Sequence, residues 1–256
     1  MTSQLLKRSI QTLSSVAAGA VFFLTTSSLS VQAITLVTNR DDLEANDKID
    51  WSSLEFGTPI NITPITANLL PNSFQTTSQK GLGLSVDIPL IADSRYTPPF
   101  VFQTTPTLPT NFSNGDYILF TGFIPGGFPA LGNPGPLTIT FDQPVQGAGT
   151  QIAVDDTFNF TAFLSAFDDK NNLLGSFSIP GTSATVLNNS AVFLGVRSDS
   201  ANISKLVYNS SENNRAFGIN FLSIKSTTIP EPGSLFALSL LGVGLLGLLT
   251  VRKTAF

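Results

Sequence analysis

Leu137-Thr138-Ile139-Thr140-Phe141 decides the fold class. Apolar and hydroxyl-bearing residues alternate with a period of two, which gives an extended segment one apolar and one polar face. Segments of the same kind follow at 150–154, 158–167, 173–179, 192–196, 203–208 and 217–224. Turn-forming pieces separate them: Asp142-Gln143-Pro144-Val145, Asp155-Asp156, residues 168–172, Pro180-Gly181, Asn188-Asn189, 197–201 and 211–214. Segment 158–167 is apolar on both faces, with Phe163 and Phe167 on one and Phe160 and Leu164 on the other, which predicts a central strand. Many short strands, frequent turns and no helix long enough for a parallel crossover predict an all-β, antiparallel, jelly-roll-like β-sandwich.

Upstream the pattern thins. Residues 34–39 read as a first strand. The acidic run D-D-L-E-A-N-D-K-I-D at 41–50 reads as a short helix capped by Asn39 or Asp41. Trp51 and Leu54-Glu55-Phe56-Gly57 suggest another strand, and 58–80, rich in Thr, Asn, Pro and Ser, a long loop with at most one short strand. Leu82, Leu84, Val86 and Ile88 alternate before Pro89 ends the run. Prolines then dominate to residue 136. Within that region Asn114-Gly115 marks a turn before a strand at 117–122, and 124–136 is a Gly/Pro loop.

The totals exclude several chemistries. There is no Cys, so neither disulfides nor thiolate metal sites hold the chain together, and the 21 Phe must supply the core. There is no His, which removes imidazole metal ligands and the Ser-His-Asp arrangement. The formal charge is −4; setting aside Lys7, Arg8, Glu231, Arg252 and Lys253 leaves nine basic and 16 acidic groups between the terminal segments, a net of −7. That balance argues against nucleic acid as a partner.

Both ends read as export signals. Lys7 and Arg8 precede an apolar stretch clearest at 16–24, and Val31-Gln32-Ala33 has the residues a signal peptidase reads, so residues 1–33 are expected to be a secretory signal peptide cut after Ala33. At the other end Pro230-Glu231-Pro232 is an extended segment. Residues 233–251 follow without a charge, long enough for one C-terminal transmembrane helix, and Arg252 and Lys253 mark a cytoplasmic end. The layout expected is therefore a signal peptide at 1–33, an exported domain at 34–228 and a tail at 229–256, held in the inner membrane at least transiently.

Pro230, Glu231, Pro232, the apolar run, Arg252 and Lys253 together resemble the bacterial PEP-CTERM sorting signal. The resemblance implies recognition by an exosortase-like processing enzyme and delivery to the cell surface or the extracellular matrix, typically in association with extracellular polysaccharide. The second half is similar to the exported β domain found ahead of such tails in cyanobacterial-type proteins, through residues 137–145 (an apolar strand, then Phe141-Asp142-Gln143-Pro144-Val145), 163–177 and 191–220. That similarity implies a jelly-roll-like sandwich akin to carbohydrate-binding or adhesion modules and carries over no catalytic residue.

The remaining chemistry is sparse. Calcium suits carboxylates in turns, which singles out Asp155, Asp156, Asp168 and Asp169. The two pairs flank one strand of about ten residues, whose ends lie roughly 30 Å apart, so they do not share an ion, and solvated turn tips are the simpler reading. Adjacent carboxylates point to opposite faces, so neither pair alone makes a glycosidase centre, which needs two carboxyls about 5–9.5 Å apart. For sugar binding the candidate rings are Tyr96, in the Pro-rich loop beside Phe100 and Phe102, and Trp51, for which a core anchor beside Leu54 and Phe56 is the simpler reading. The reading that results is a non-catalytic exported surface or matrix protein in adhesion or exopolysaccharide association. The alternatives are a calcium-dependent lectin-like module and a carboxylate glycosidase.

Overall fold

The computed structural model describes residues 33–54, 58–62, 65–108, 110–127, 129–156 and 159–227. The chain divides into two compact units, 1–31 and 32–256, and the described residues all belong to the second. Sixteen strands are described: β1 Ile34–Val37, β2 Asp47–Ile49, β3 Thr58–Ile62, β4 Ile65–Leu69, β5 Ser73–Thr77, β6 Gly83–Asp87, β7 Phe100–Gln103 and β8 Tyr117–Phe120. The second half supplies β9 Leu137–Val145, β10 Gly147–Val154, β11 Asn159–Phe167, β12 Leu173–Thr182, β13 Val192–Ser198, β14 Ile203–Ser210, β15 Phe217–Ile219 and β16 Leu222–Lys225.

The strands form two antiparallel sheets. The smaller runs β12-β11-β14-β9-β6-β5; the larger has ten strands, with β1-β13-β10-β15-β8-β7-β4-β3 as its spine, β16 paired to β10 and β2 paired to β16. Consecutive strands often change sheet: β9 lies in the small sheet and β10 in the large one, and β12, β13 and β14 alternate likewise. The alternation read at Leu137-Thr138-Ile139-Thr140-Phe141 continues across the small sheet by register. Its inward rows include Leu164–Tyr208–Leu137 and Ala166–Leu206–Ile139–Val86. All of these are buried and meet Val101, Leu119, Ile152, Leu194, Val196 and Ile219 of the large sheet in one core.

The large sheet is covered on its other side as well. A second cluster of Phe100, Phe102, Phe112 and Phe120 stacks there, with the Phe100 and Phe120 rings 5.2 Å apart. A third cluster of Val37, Leu43 and Phe193 lies at the β1 end. Every residue of β10 is buried as a result.

Several expectations are corrected. The acidic run forms only a 3₁₀ turn at Asp41–Leu43 before β2, and Trp51–Ser53 is a second 3₁₀ turn rather than part of a strand. Residues 58–77 hold β3 and β4, paired at one end of the large sheet, and β5, paired with β6 in the small one, instead of a loop. Asp142-Gln143-Pro144-Val145 is a register shift inside β9, and Pro180-Gly181 lies within β12. Strand β11 is not central: it is second from the edge, and Phe163 and Phe167 occupy its outer face, with Phe163 39% exposed.

The all-β, two-sheet antiparallel architecture stands, but the transmembrane part of the expectation does not. Among the described residues no helix is long and apolar enough to cross a membrane. The expected span at 233–251 lies outside the described residues. The C-terminal transmembrane helix, and inner-membrane anchoring through it, are therefore withdrawn.

Candidate functional site

The sites expected from sequence do not converge. Ala33 is exposed immediately before β1. Pro230, Glu231, Pro232, Arg252 and Lys253 lie outside the described residues, beyond β16. Asp155 and Asp156 follow β10, whereas Asp168 and Asp169 follow β11 at the opposite end of that strand.

Two of the four carboxylates, Asp168 and Asp156, already have a local task. Asp168 accepts hydrogen bonds from Lys170 N (2.9 Å), Asn172 N (2.7 Å) and Asn172 Nδ2 (2.8 Å), closing the β11–β12 turn. The Asn172 side-chain bond, chiefly, holds its carboxyl below the ordinary range. Asp156, at φ 54°, accepts from Ala130 N (2.6 Å) and ties down the loop after β8. Asp155 is pushed up to about 6, first by burial and then by its neighbour Asp156, against a smaller opposing pull from Arg215. Among the described residues no three acidic side chains gather as they would to hold a metal ion.

The rings separate too. Trp51 is fully buried and its indole N–H donates to Asn220 O at 2.6 Å, so it offers no face to a sugar. Tyr96 is half-buried, while Phe100 and Phe102 beside it are core.

Trp51 points instead to a polar node that sequence patterning missed. The segment read as one strand at 217–224 is broken into β15 and β16 at Asn220-Phe221, opposite Thr150 and Gln151 of β10. Asn220 fills the gap. Its Oδ1 accepts from Gln151 N (3.1 Å) and Arg40 Nη2 (2.9 Å), and its Nδ2 donates to Gln151 Oε1 (2.6 Å) and Asp116 Oδ2 (3.1 Å). Arg40 stacks over Phe221 at 3.7 Å and Phe193 at 4.8 Å, and burial lowers its guanidinium to about 10. Satisfied on every side, this node fastens the N-terminal segment to the large sheet. Its polar groups are bonded to one another.

What the sandwich does leave open is the outer face of the small sheet. By register, Ser176, Ser165, Val207, Thr138, Asp87 and Ser73 form one row across six strands. Phe167, Lys205, Thr140, Ser85 and Gln75 form the next. A third row holds Ser178, Phe163 and Asn209, all exposed. Lys205 Nζ lies 4.3 Å from the Phe167 ring centre and donates to Asn171 Oδ1, so its charge is partly spent locally.

At the β5–β6–β9 corner the face runs into a cleft of about 680 Å³ lined by Asp50, Ser52, Gln75, Thr77, Gly83 and Asp142 among others. Asp47 organises that corner from below, accepting from Ser78 Oγ (2.5 Å), Lys80 N (3.1 Å) and Lys48 N (2.8 Å). Asp142 sits directly over the Gly83 Cα, so a side chain at 83 would have to push its exposed carboxylate aside. Asp50 Oδ1 caps the Trp51 turn by accepting from Ser52 N at 3.0 Å. The surface offers hydroxyls, amides and two half-committed carboxylates: a hydrogen-bonding surface for a polar ligand, with no nucleophile–base pair bonded in it.

A family model, described as the PEP-CTERM protein-sorting motif, matches residues 228–253. No curated protein matches the chain. A DUF4465 family protein from Bacteroides caccae is similar at 13% identity over 75% of this chain and 100% of its own, with a TM-score of 0.33. The enzymatically active domain of bacteriophage CBA120 tailspike protein 4 is similar at 15% identity over 70% of this chain and 21% of its own, with a TM-score of 0.25. Neither score reaches the range of a shared fold. Proteins with the matched motif are typically non-catalytic substrates of sorting. The chain carries a PEP-CTERM protein-sorting motif at residues 228–253 and is, in those general terms, an exosortase-sorted exported or surface protein.

Proposed function

We propose that this protein is a non-catalytic β-sandwich of the cell surface or extracellular matrix that associates with extracellular polysaccharide. Its signal peptide, residues 1–33, is removed by signal peptidase after Ala33, and its tail is processed by an exosortase-like enzyme that reads Pro230-Glu231-Pro232. The domain delivered is 34–228. The observation that carries the reading is the sorting motif at 228–253, which begins just past the last strand at Lys225. Exposure of Ala33 ahead of β1 supports the first cut, since a peptidase can reach an exposed residue at the start of the folded domain. The polar open face supports the association, and the scattered carboxylates favour neither the glycosidase nor the calcium-dependent lectin.

The test is fractionation of cells with and without the exosortase gene. The protein is expected in the extracellular polysaccharide fraction of the parent, and retained in the cell body, at higher mass, in the deletion strain. Equal distribution and equal mass in both strains would overturn the proposal.

A further inference from the structure

We infer that the open face of the small sheet, continuous with the corner cleft, is the surface through which this protein docks onto a neutral polysaccharide chain. The inference rests on the polysaccharide reading above and adds the surface and the charge class of the ligand.

Coverage comes first. Both faces of the large sheet are packed over much of their extent, by the main core on one side and the Phe and Leu43 clusters on the other. Among the described residues, the outer face of the small sheet is the sheet face left to solvent.

The second argument is charge. In a chain of net charge −4, the outward positions of these six strands hold only Lys205, Asp87 and Asp142 as charged groups. Lys205 is sheltered by Phe167 and Asn171. Docking desolvates whatever it covers, and that cost is much smaller for hydroxyls than for charges. A nucleic acid or an acidic glycan would meet no compensating cations here. A protein partner would want a fuller apolar centre than Phe163 and Val207 provide, with Phe167 and Leu173 set at the strand ends.

The third argument is the pattern of groups. Ser and Thr hydroxyls both donate and accept, as sugar hydroxyls do. They stand on a rigid lattice, about 4.8 Å between strands and roughly 6.8 Å along them, so little side-chain freedom is lost on contact. Ser165 and Ser176 already hold one another at 2.8 Å across two strands. Phe163, flanked by Ser178 and Asn209, supplies the apolar ring that the C–H face of a pyranose stacks on. A neutral glycan chain, alternating C–H and O–H along its length, matches that mixture.

Co-sedimentation of the purified protein with microcrystalline cellulose, and separately with calcium-free alginate beads, tests this. The variants are Ser165→Glu and Thr138→Lys, at half-exposed positions, with Asn213→Glu on the exposed β14–β15 loop as control. Melting temperature is measured on each, so that binding is compared between folded proteins. The expected result is retention of the parent and N213E on cellulose, at least about tenfold weaker binding of both S165E and T138K, and no retention on alginate. Opposite charges weakening binding alike is the signature of a neutral ligand. Undiminished cellulose binding by S165E and T138K would overturn the surface and leave the proposed function standing. Preference for alginate, with T138K gaining, would overturn the charge class. Failure of the parent to bind either polymer would overturn the proposed function itself, and this inference with it.

Discussion

Asn220 shows how much one side chain can hold. It is fully buried, it interrupts the pairing of β10 with β15 and β16, and its amide replaces the missing ladder bonds to Gln151. Replacing it with Ala leaves Gln151 N without its partner, and leaves Gln151 Oε1 and Arg40 Nη2 with only their long mutual bond of 3.4 Å. Each such buried group costs about 1–3 kcal/mol. Asn220→Ala should therefore lose on the order of 3–5 kcal/mol, seen as a melting temperature lower by about 10 °C or more. Trp51→Phe removes one N–H donor and some ring volume from the same node and should cost about 2 kcal/mol, read by urea unfolding.

Asp155 makes the opposite case, a residue whose ionisation works against the fold. Burial and Asp156 raise its folded-state pKa to about 6, above the ordinary value of 3.8. As pH rises between those values, the unfolded chain gives up a proton that the folded chain keeps, so stability falls across that window and stays lower above it. Two pKa units correspond to about 2–3 kcal/mol. Asp155→Asn should be more stable than the parent by about 2 kcal/mol at pH 8, with the advantage fading towards pH 4; denaturant melts at both pH values check it.

At the scale of the element, the alternation at Leu82, Leu84, Val86 and Ile88, and again at 137–141, announced β6 and β9 because one face of each is core and the other solvent. Periodicity was silent where pairing rather than burial makes the strand. In β5 the alternate residues Ser73, Gln75 and Thr77 face water, and only the ladder to β6 shows that the segment is extended. It also misled at β11, since apolar groups on both faces say nothing about which face is covered; Phe163 lies on the uncovered one. Pro180 looked like a turn because a proline interrupts a central strand. It is tolerated because β12 is an edge: Thr161, its partner in β11, directs its own N–H and C=O towards Ser211, so the nitrogen of Pro180 faces the free side. Edge prolines block strand addition. Pro180→Thr, which restores a donor on that edge, should raise self-association measurably in analytical ultracentrifugation, with a melting temperature close to the parent's.

For the whole molecule, composition indicated the class and long-range pairing supplied the site. The two-sheet architecture was readable because alternating segments recur with short turns. The open face was not, since it is assembled from three rows of register spanning residues 73 to 209 that no local pattern connects. The carboxylates that sequence offered as metal ligands are distributed instead over separate turns, with Asp156 and Asp168 bonded locally. Adding calcium or a chelator should therefore move the melting temperature by less than about 1 °C, measured by calorimetry; a larger rise with calcium would restore the metal-dependent alternative.

The central claim is that the sandwich reaches its place of action with both ends processed. Intact mass spectrometry of the protein recovered from outside the cell tests it most directly. The account predicts a chain beginning at Ile34 and lacking the residues beyond the Pro230-Glu231-Pro232 segment. Recovery of the unprocessed 27.1 kDa chain, Met1 through Phe256, from the cell interior alone would contradict it.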